Sequence, residues 1–195
     1  MSEKKILQIF QKCGALLEGH FQLSSGLHSS LYLQCALVLQ YPRYGSLLGK
    51  ELAKKFFSQK IDVVIGPAIG GIIIAYEVAK FLNVQALFSE RQRGKMLLRR
   101  GFKINKGEKV LLIEDVLTTG GSLKEVIDLV KKEKGEIGGI GAIVDRSDKN
   151  IFFERENRLV GKYNFLLKLP MKTFSPINCP FCKQSVPLIK PGSKP

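Results

Sequence analysis

The chain has 195 residues, 45% of them hydrophobic and 25% charged, the balance of a globular protein with a core of its own. That excludes a collagen, a coiled coil or a wholly disordered chain. The net charge of +14, from 31 Lys and Arg against 17 Asp and Glu, points to a polyanionic partner: nucleic acid, an anionic membrane or a phosphorylated small molecule.

The charge is uneven. Residues 91–109 hold 8 basic and 1 acidic residue, and residues 149–195 hold 9 and 2, each stretch netting +7. Residues 110–148 between them net −3. Four cysteines at 13, 35, 179 and 182 make no secreted disulfide framework, and Met1-Ser2-Glu3-Lys4-Lys5 opens no apolar signal segment. The longest apolar run, Val63 to Tyr76, is too short to span a membrane and is broken by Pro67. A cytoplasmic, reducing setting is expected.

In chain order, Ile6, Ile9, Phe10, Cys13, Leu16 and Leu17 recur at helical spacing and predict a helix over residues 3–17. Two short strands, Phe21–Leu23 and Leu31–Leu33, flank the turn composition Ser24-Ser25-Gly26. Pro42 suits the first turn of a helix reaching about Ser58. Strands at Asp62–Ile65, Gln85–Phe88, Lys109–Ile113 and Ile140–Val144 then alternate with helices at about Ile72–Leu82 and Leu123–Lys134. Residues 90–101 are polar, basic and without periodicity. Tyr163–Leu169 reads as one more strand, and six of the eight prolines fall in an extended, irregular stretch at 170–195. Alternating βα units with continuously apolar strands predict an α/β fold, a central parallel sheet flanked by helices. Ligands of such sheets bind beyond the carboxyl ends of the strands, so the loops at 66–71, 114–122 and 145–148 should share one edge.

Val110 to Ser122 carries the most chemistry. A buried strand delivers Glu114 and Asp115, a carboxylate pair suited to vicinal ribose hydroxyls or a hydrated Mg²⁺. Thr118-Thr119-Gly120-Gly121-Ser122 then supplies hydroxyls and open backbone N–H groups before a helix N-terminus, so a phosphate can be held without a lysine. There is no Walker lysine and no dinucleotide fingerprint.

This segment resembles the phosphoribosyl-pyrophosphate (PRPP) motif of the type I phosphoribosyltransferases. Gly19 to Ser29, Gly66 to Gly71 and Val144-Asp145-Arg146 further resemble the orotate phosphoribosyltransferase family. Cys179-Pro180-Phe181-Cys182 and Pro187-Leu188 to Gly192 resemble the tail of one prokaryotic subgroup of it. The resemblance spans nearly the whole chain. It implies a single type I phosphoribosyltransferase domain, residues 1–195, with hood elements at 1–40, an α/β core at 41–169 and a Pro-rich tail at 170–195. It implies transfer of the ribose 5-phosphate of PRPP to orotate, giving orotidine 5′-monophosphate and pyrophosphate. Mg²⁺ would arrive mainly bound to PRPP.

The same resemblance implies site residues. Glu114 and Asp115 would hold the ribose hydroxyls, and Val116, Leu117, Thr118, Thr119, Gly120, Gly121 and Ser122 the 5′-phosphate. Ala68, Ile69, Gly70 and Gly71 would let backbone approach the pyrophosphate. Thr118 and Arg146 would meet orotate, Arg146 through a planar fork suited to a carboxylate; the alternative for Arg146 is an ion pair with Asp145 or Asp148. Residues 90–101 match the family's mobile loop, closing over PRPP from the neighbouring subunit of a homodimer, with Arg91 and Lys95 the catalytic candidates beside Asp115. The alternative is a solvated basic loop. Glu90-Arg91 stands where relatives have Arg-Lys, Gly70 and Ser24 stand where relatives have lysines, and the loop lacks the family's histidine and Gly-Glu-Gly run.

Phe21 and Tyr32 are either orotate-pocket walls or core, and His20 and His28 read as turn or core residues. Cys179 and Cys182 have the spacing of a metal knuckle but supply only two ligands. A zinc site would need more from Cys13, Cys35, a histidine or the other subunit. Packed thiols are expected instead, and no side chain is assigned to a metal. Two other functions remain open: transfer to a purine base, and a PRPP-sensing regulator that binds nucleic acid. No helix-turn-helix or aromatic RNA-binding motif favours the second, so neither nucleic acid nor membrane is expected as a partner.

Overall fold

The computed structural model describes residues 1–23, 25–147 and 163–191. Ser24, Asp148 and Gly192 therefore lie outside the described residues. Helix α1 (Glu3–Lys12) leads into strands β1 (Leu16–Gln22) and β2 (His28–Leu33), followed by helices α2 (Ala36–Leu39) and α3 (Pro42–Lys54). Then come β3 (Val63–Pro67), α4 (Gly70–Leu82), β4 (Gln85–Gln92), β5 (Lys95–Leu98), β6 (Lys109–Leu117), α5 (Gly121–Lys132), β7 (Glu136–Asp145) and β8 (Tyr163–Lys168). The tail adds β9 (Thr173–Phe174), a 3₁₀ turn at Pro176–Asn178 and the short α6 (Pro180–Lys183).

Six strands form one sheet in the order β5-β4-β3-β6-β7-β8. Every neighbouring pair is parallel except β4–β5. The pleat sends alternate residues of the central strands to opposite faces. On one face Val64, Leu111 and Ile113 pack with Ile6 and Phe10 of α1, Leu48 and Leu52 of α3, and Ile74 and Val78 of α4. On the other, Val63, Val110 and Leu112 pack with Leu123, Val126 and Val130 of α5. Each such buried Leu, Ile or Phe contributes about 1.5–3 kcal/mol over its exposed state. These two layers hold the sheet rigid and fix where its carboxyl edge lies. The small hood sheet, β1-β2-β9, is antiparallel.

Four expectations are corrected. The first helix ends at Lys12, not 17: Gly14 takes φ +63, and the N–H of Ala15 returns to the carbonyl of Phe10 at 2.8 Å, closing the last turn. Leu16 and Leu17 continue the helical period but belong to β1. The third core strand runs on through Leu117 rather than stopping at Ile113, because β7 continues alongside it, pairing Glu114 with Ala142 and Leu117 with Asp145. Residues 90–98 are strand rather than loop. Gln92 pairs with Lys95 across a two-residue turn at Arg93-Gly94, whose φ values of +48 and +80 match the twist of an antiparallel hairpin. The tail is not merely extended: it pairs with β2 and closes a helical turn at Cys179–Lys183.

Candidate functional site

The carboxyl end of β6 opens into a pocket of about 280 Å³. Val116, Leu117, Thr118, Thr119, Gly120, Gly121 and Ser122 line it, with Glu114, Arg91 and Glu125. Gly120 sits at φ +75, a left-handed conformation that β-carbons disfavour, and there the chain turns from strand to helix within three residues. Helix α5 starts at once, with the Lys124 N–H bonded to the Gly120 carbonyl at 2.9 Å. No side chain caps its N-terminus. Its first N–H groups and the positive end of its dipole therefore face the pocket, a setting for an anion.

Glu114 and Asp115, adjacent in sequence, face opposite sides of the sheet. Glu114 follows Leu112 on the α5 side and enters the pocket beside the Thr118–Ser122 loop. Burial, and then the neighbouring Asp115 carboxylate, push its pKa up to about 8. Asp115 follows Ile113 on the α4 side, where its carboxylate lies against Gly70, the first residue of α4. Burial raises its pKa too, while the Val116 N–H, donating to Oδ1 at 2.9 Å, pulls the other way. The two acids thus flank the strand end from either side.

The β3–α4 connection runs beside them. Gly71 approaches the Ile113 carbonyl so closely that a β-carbon would come within 3.0 Å of it. The Ala68 N–H donates to Ser89 of β4 at 2.7 Å, and Ile69 is 86% exposed at the edge. Ala68 to Gly71 therefore lie at the same edge as the Thr118–Ser122 loop.

The β4–β5 hairpin supplies the cations unequally. Arg91 lines the pocket and donates to Glu125 Oε1 at 2.7 Å and to the Gly94 carbonyl at 2.8 Å. Glu125, on the first turns of α5, is a site residue that the sequence reading missed; its signal was an acid one helical turn beyond Gly121. Arg100 donates to both oxygens of Glu90, at 3.0 and 3.2 Å. Glu90 thus neutralises part of the basic stretch from within. Lys95 is exposed and does not line its own chain's pocket.

Arg146 follows β7, its N–H bonded to the Leu117 carbonyl at 2.8 Å. The ion pair with Asp145 is not formed. Asp145 is buried and instead accepts from Lys168 Nζ at 2.7 Å and from Ser147 Oγ at 2.6 Å. Arg146 Nε is buried with no hydrogen-bond partner. Burial lowers the guanidinium's pKa, opposed by Cys35 and by Tyr32 of the hood. Tyr32 in turn packs on Phe21, ring centroids 5.7 Å apart. Cys35 is buried at the Asp115 carbonyl, and Cys13 is half-buried under α1. Neither joins Cys179 and Cys182, which lie with His20 and His28 where the tail meets the hood.

The chain resembles known proteins along its whole length. Residues 43–152 match the phosphoribosyl transferase domain family. An orotate phosphoribosyltransferase from Caldanaerobacter subterraneus subsp. tengcongensis is 54% identical over 194 residues, covering 100% of this chain and 99% of its own. One from Pelotomaculum thermopropionicum is 52% identical with the same coverage. Among solved structures, orotate phosphoribosyltransferase from Aeropyrum pernix superposes with a TM-score of 0.70 at 25% identity, over 84% of this chain and 93% of that one.

Proposed function

The chain belongs to the orotate phosphoribosyltransferase family, and from that premise we propose how its own residues carry the transfer of ribose 5-phosphate from PRPP to orotate. The pocket at the end of β6 carries this reading: a lysine-free phosphate loop at a helix N-terminus, flanked by two carboxylates, at the ligand edge of a parallel sheet. Thr118 to Ser122 hold the 5′-phosphate on backbone N–H and hydroxyl groups. Glu114 and Asp115 accept from the ribose hydroxyls, one from each side of the strand. The backbone of Ala68 to Gly71 lies along the pyrophosphate.

Orotate N1 then loses its proton to solvent and bonds to the ribose C1 as the bond from C1 to pyrophosphate breaks, with inversion. Positive charge develops on the sugar and negative charge on the leaving group. Catalysis rests on positioning and on cations at the pyrophosphate. Arg91 and Lys95 supply these, and closing the hairpin over the site excludes water. Arg146 pairs with the orotate carboxylate; its unpartnered Nε beside the hood fits such a ligand. The hard oxygens of Glu114 and Asp115 fit Mg²⁺, which would arrive on PRPP with its waters and add neutralising charge at the pyrophosphate.

A homodimer completes this reading. Ile69, Ile73 and Tyr76 form an outward stripe along α4, exposed by 86, 48 and 61%. Pairing this stripe between two copies would bury it and let a hairpin tip with Lys95 serve the partner's pocket, since Lys95 does not line its own. Among the described residues no helix is long and apolar enough to cross a membrane. The four unpaired cysteines support a cytoplasmic setting.

Mixing the protein with PRPP, Mg²⁺ and one base at a time, while following pyrophosphate, tests the whole. Release with orotate and not with adenine, guanine or xanthine is expected. The opposite pattern would overturn the assignment, and tight nucleic-acid binding without turnover of any base would replace it with a regulator.

A further inference from the structure

The tail and the hood meet at a cluster that phosphoribosyl transfer does not use. Cys179 caps α6 and Cys182 lies within it, while His20 is on β1 and His28 opens β2. Their four ligand atoms all lie within 4.8 Å of one another. Cys179 Sγ and Cys182 Sγ stand 3.4 and 3.7 Å from His20 Nε2, and Cys182 Sγ stands 3.3 Å from His28 Nδ1. A tetrahedral ion with bonds of about 2.3 Å to sulfur and about 2.05 Å to nitrogen has sulfur–nitrogen edges of about 3.5 Å. The three measured separations bracket that value. The two ring nitrogens are 2.9 Å apart and would open by a few tenths of an ångström.

Orientation adds a second argument. His20 Nδ1 donates its proton to the Val186 carbonyl at 2.9 Å, since a carbonyl can only accept. That leaves a lone pair on Nε2, directed into the cluster. A ligand imidazole anchored through its other nitrogen to a backbone carbonyl is the arrangement that orients histidines at metal sites. Three of the four groups, His20, His28 and Cys179, are buried. Two thiolates balance a divalent ion, so the closed site carries no net charge, and soft sulfur with imidazole favours zinc over magnesium or calcium.

We propose that His20 Nε2, His28 Nδ1, Cys179 Sγ and Cys182 Sγ bind a structural Zn²⁺ that fastens the C-terminal tail to the hood. All four positions of the tetrahedron are filled by protein, so the ion has no open site for chemistry. Its work is mechanical. Backbone pairing of the tail with the hood is confined to the two-residue strand β9 and a bridge between Phe21 and Ile189, with side-chain bonds from His20 to Val186 and from Ser29 to Lys172 beside them. The ion ties residues 20 and 28 to residues 179 and 182, at the start of the strand that carries Tyr32 toward Arg146.

The full chain, purified under reducing conditions without chelator, should carry one zinc per chain by elemental mass spectrometry. Cys179→Ser and His28→Ala should each lose it. Protein stripped with a chelator and titrated with Co²⁺ should develop the visible bands of a tetrahedral, thiolate-ligated ion, saturating at one equivalent, and should melt at a lower temperature before reconstitution than after. This last measurement uses the unaltered sequence and stands even where a variant fails to fold. A metal-free protein whose reduced form gives no cobalt spectrum would overturn the proposal. So would zinc retained by a Cys179→Ser, Cys182→Ser double variant, or a Cys179–Cys182 disulfide found in place of the ion.

Discussion

The carboxylate of Asp115 occupies the space where residue 70 would carry a side chain. A β-carbon built on Gly70 would stand 2.5 Å from Oδ2 and 2.7 Å from Oδ1. The carboxylate cannot simply step aside, because the Val116 N–H holds Oδ1 and burial surrounds the rest. Gly70→Ala should therefore turn Asp115 off the ribose while leaving both core layers intact. A misplacement of that size lowers kcat/KM by about 10²-fold. Asp115→Asn should show a comparable loss with an unchanged melting temperature, and full activity in either variant would detach Asp115 from the substrate.

Glu114 should make PRPP binding depend on pH. Its folded value of about 8 lies above that of an ordinary glutamate. The stability it contributes is fully present below the unfolded value and fades as pH rises through about 8, where the buried carboxyl must ionise. Accepting from ribose hydroxyls or meeting Mg²⁺ needs the ionised form, so ligand affinity runs the other way. The Kd for PRPP with Mg²⁺ should tighten from about pH 6.5 to about pH 8 by up to about tenfold per unit. Glu114→Gln should bind more weakly and lose that part of the slope. Equal slopes in the two proteins would assign the dependence to PRPP's own phosphates.

Arg146 should discriminate between the two substrates. Truncating it removes a charge-assisted fork worth about 2–3 kcal/mol to a carboxylate. Arg146→Ala should raise the KM for orotate about 30- to 100-fold, at about 1.4 kcal/mol per tenfold, and leave the PRPP Kd nearly unchanged. Arg146→Lys should recover little, since an ammonium cannot form two parallel bonds. A variant that weakens PRPP instead would place Arg146 on the other substrate.

Arg91 and Lys95 differ in what they must give up. The Arg91–Glu125 pair is half-exposed, 46 and 39%, and such pairs are worth no more than about 1 kcal/mol. Arg91 can therefore leave Glu125 for a pyrophosphate at little cost, and Glu125→Gln should be mild, changing kcat less than threefold. Lys95→Ala should lower kcat by about 10²-fold with little change in the KM for orotate. Steady-state kinetics separates the two, and an unchanged kcat would move attention to Arg93.

Charging the α4 stripe tests the dimer. Tyr76→Glu should elute as a monomer and lose most of its turnover if the partner's hairpin is needed. Mixing Lys95→Ala chains with chains disabled at Asp115 should restore part of the activity, because one mixed pocket regains both residues. No recovery would keep each hairpin with its own chain.

Much of the site was legible in the run Val110 to Ser122, because strand, acids, loop and helix N-terminus are consecutive there and each leaves a local mark. The same locality misled elsewhere. Leu16 and Leu17 keep the helical period of α1, yet Gly14 ends the helix before them. Residues 90–95 show no period because the hairpin tip is polar and largely exposed, and the alternation that follows, Met96 and Leu98 toward the core, is too short to mark a strand. His20 and His28 read as turn or core residues and are buried, but nothing near them in sequence names their partners 159 and 154 positions away.

The α/β class, the parallel core, the Thr118–Ser122 loop before a helix N-terminus and the family were all legible in the chain, since they rest on periodicity and on contiguous motifs. Tertiary structure alone decided three further relationships. It set Asp115 against Gly70, it satisfied Asp145 with Lys168 so that Arg146 was left without that partner, and it gathered two histidines and two cysteines into one cluster. Each joins residues far apart in the chain. Packing of the core fixes the first two and the pairing of the tail with the hood fixes the third, and periodicity, which reports only on near neighbours, carries no trace of them.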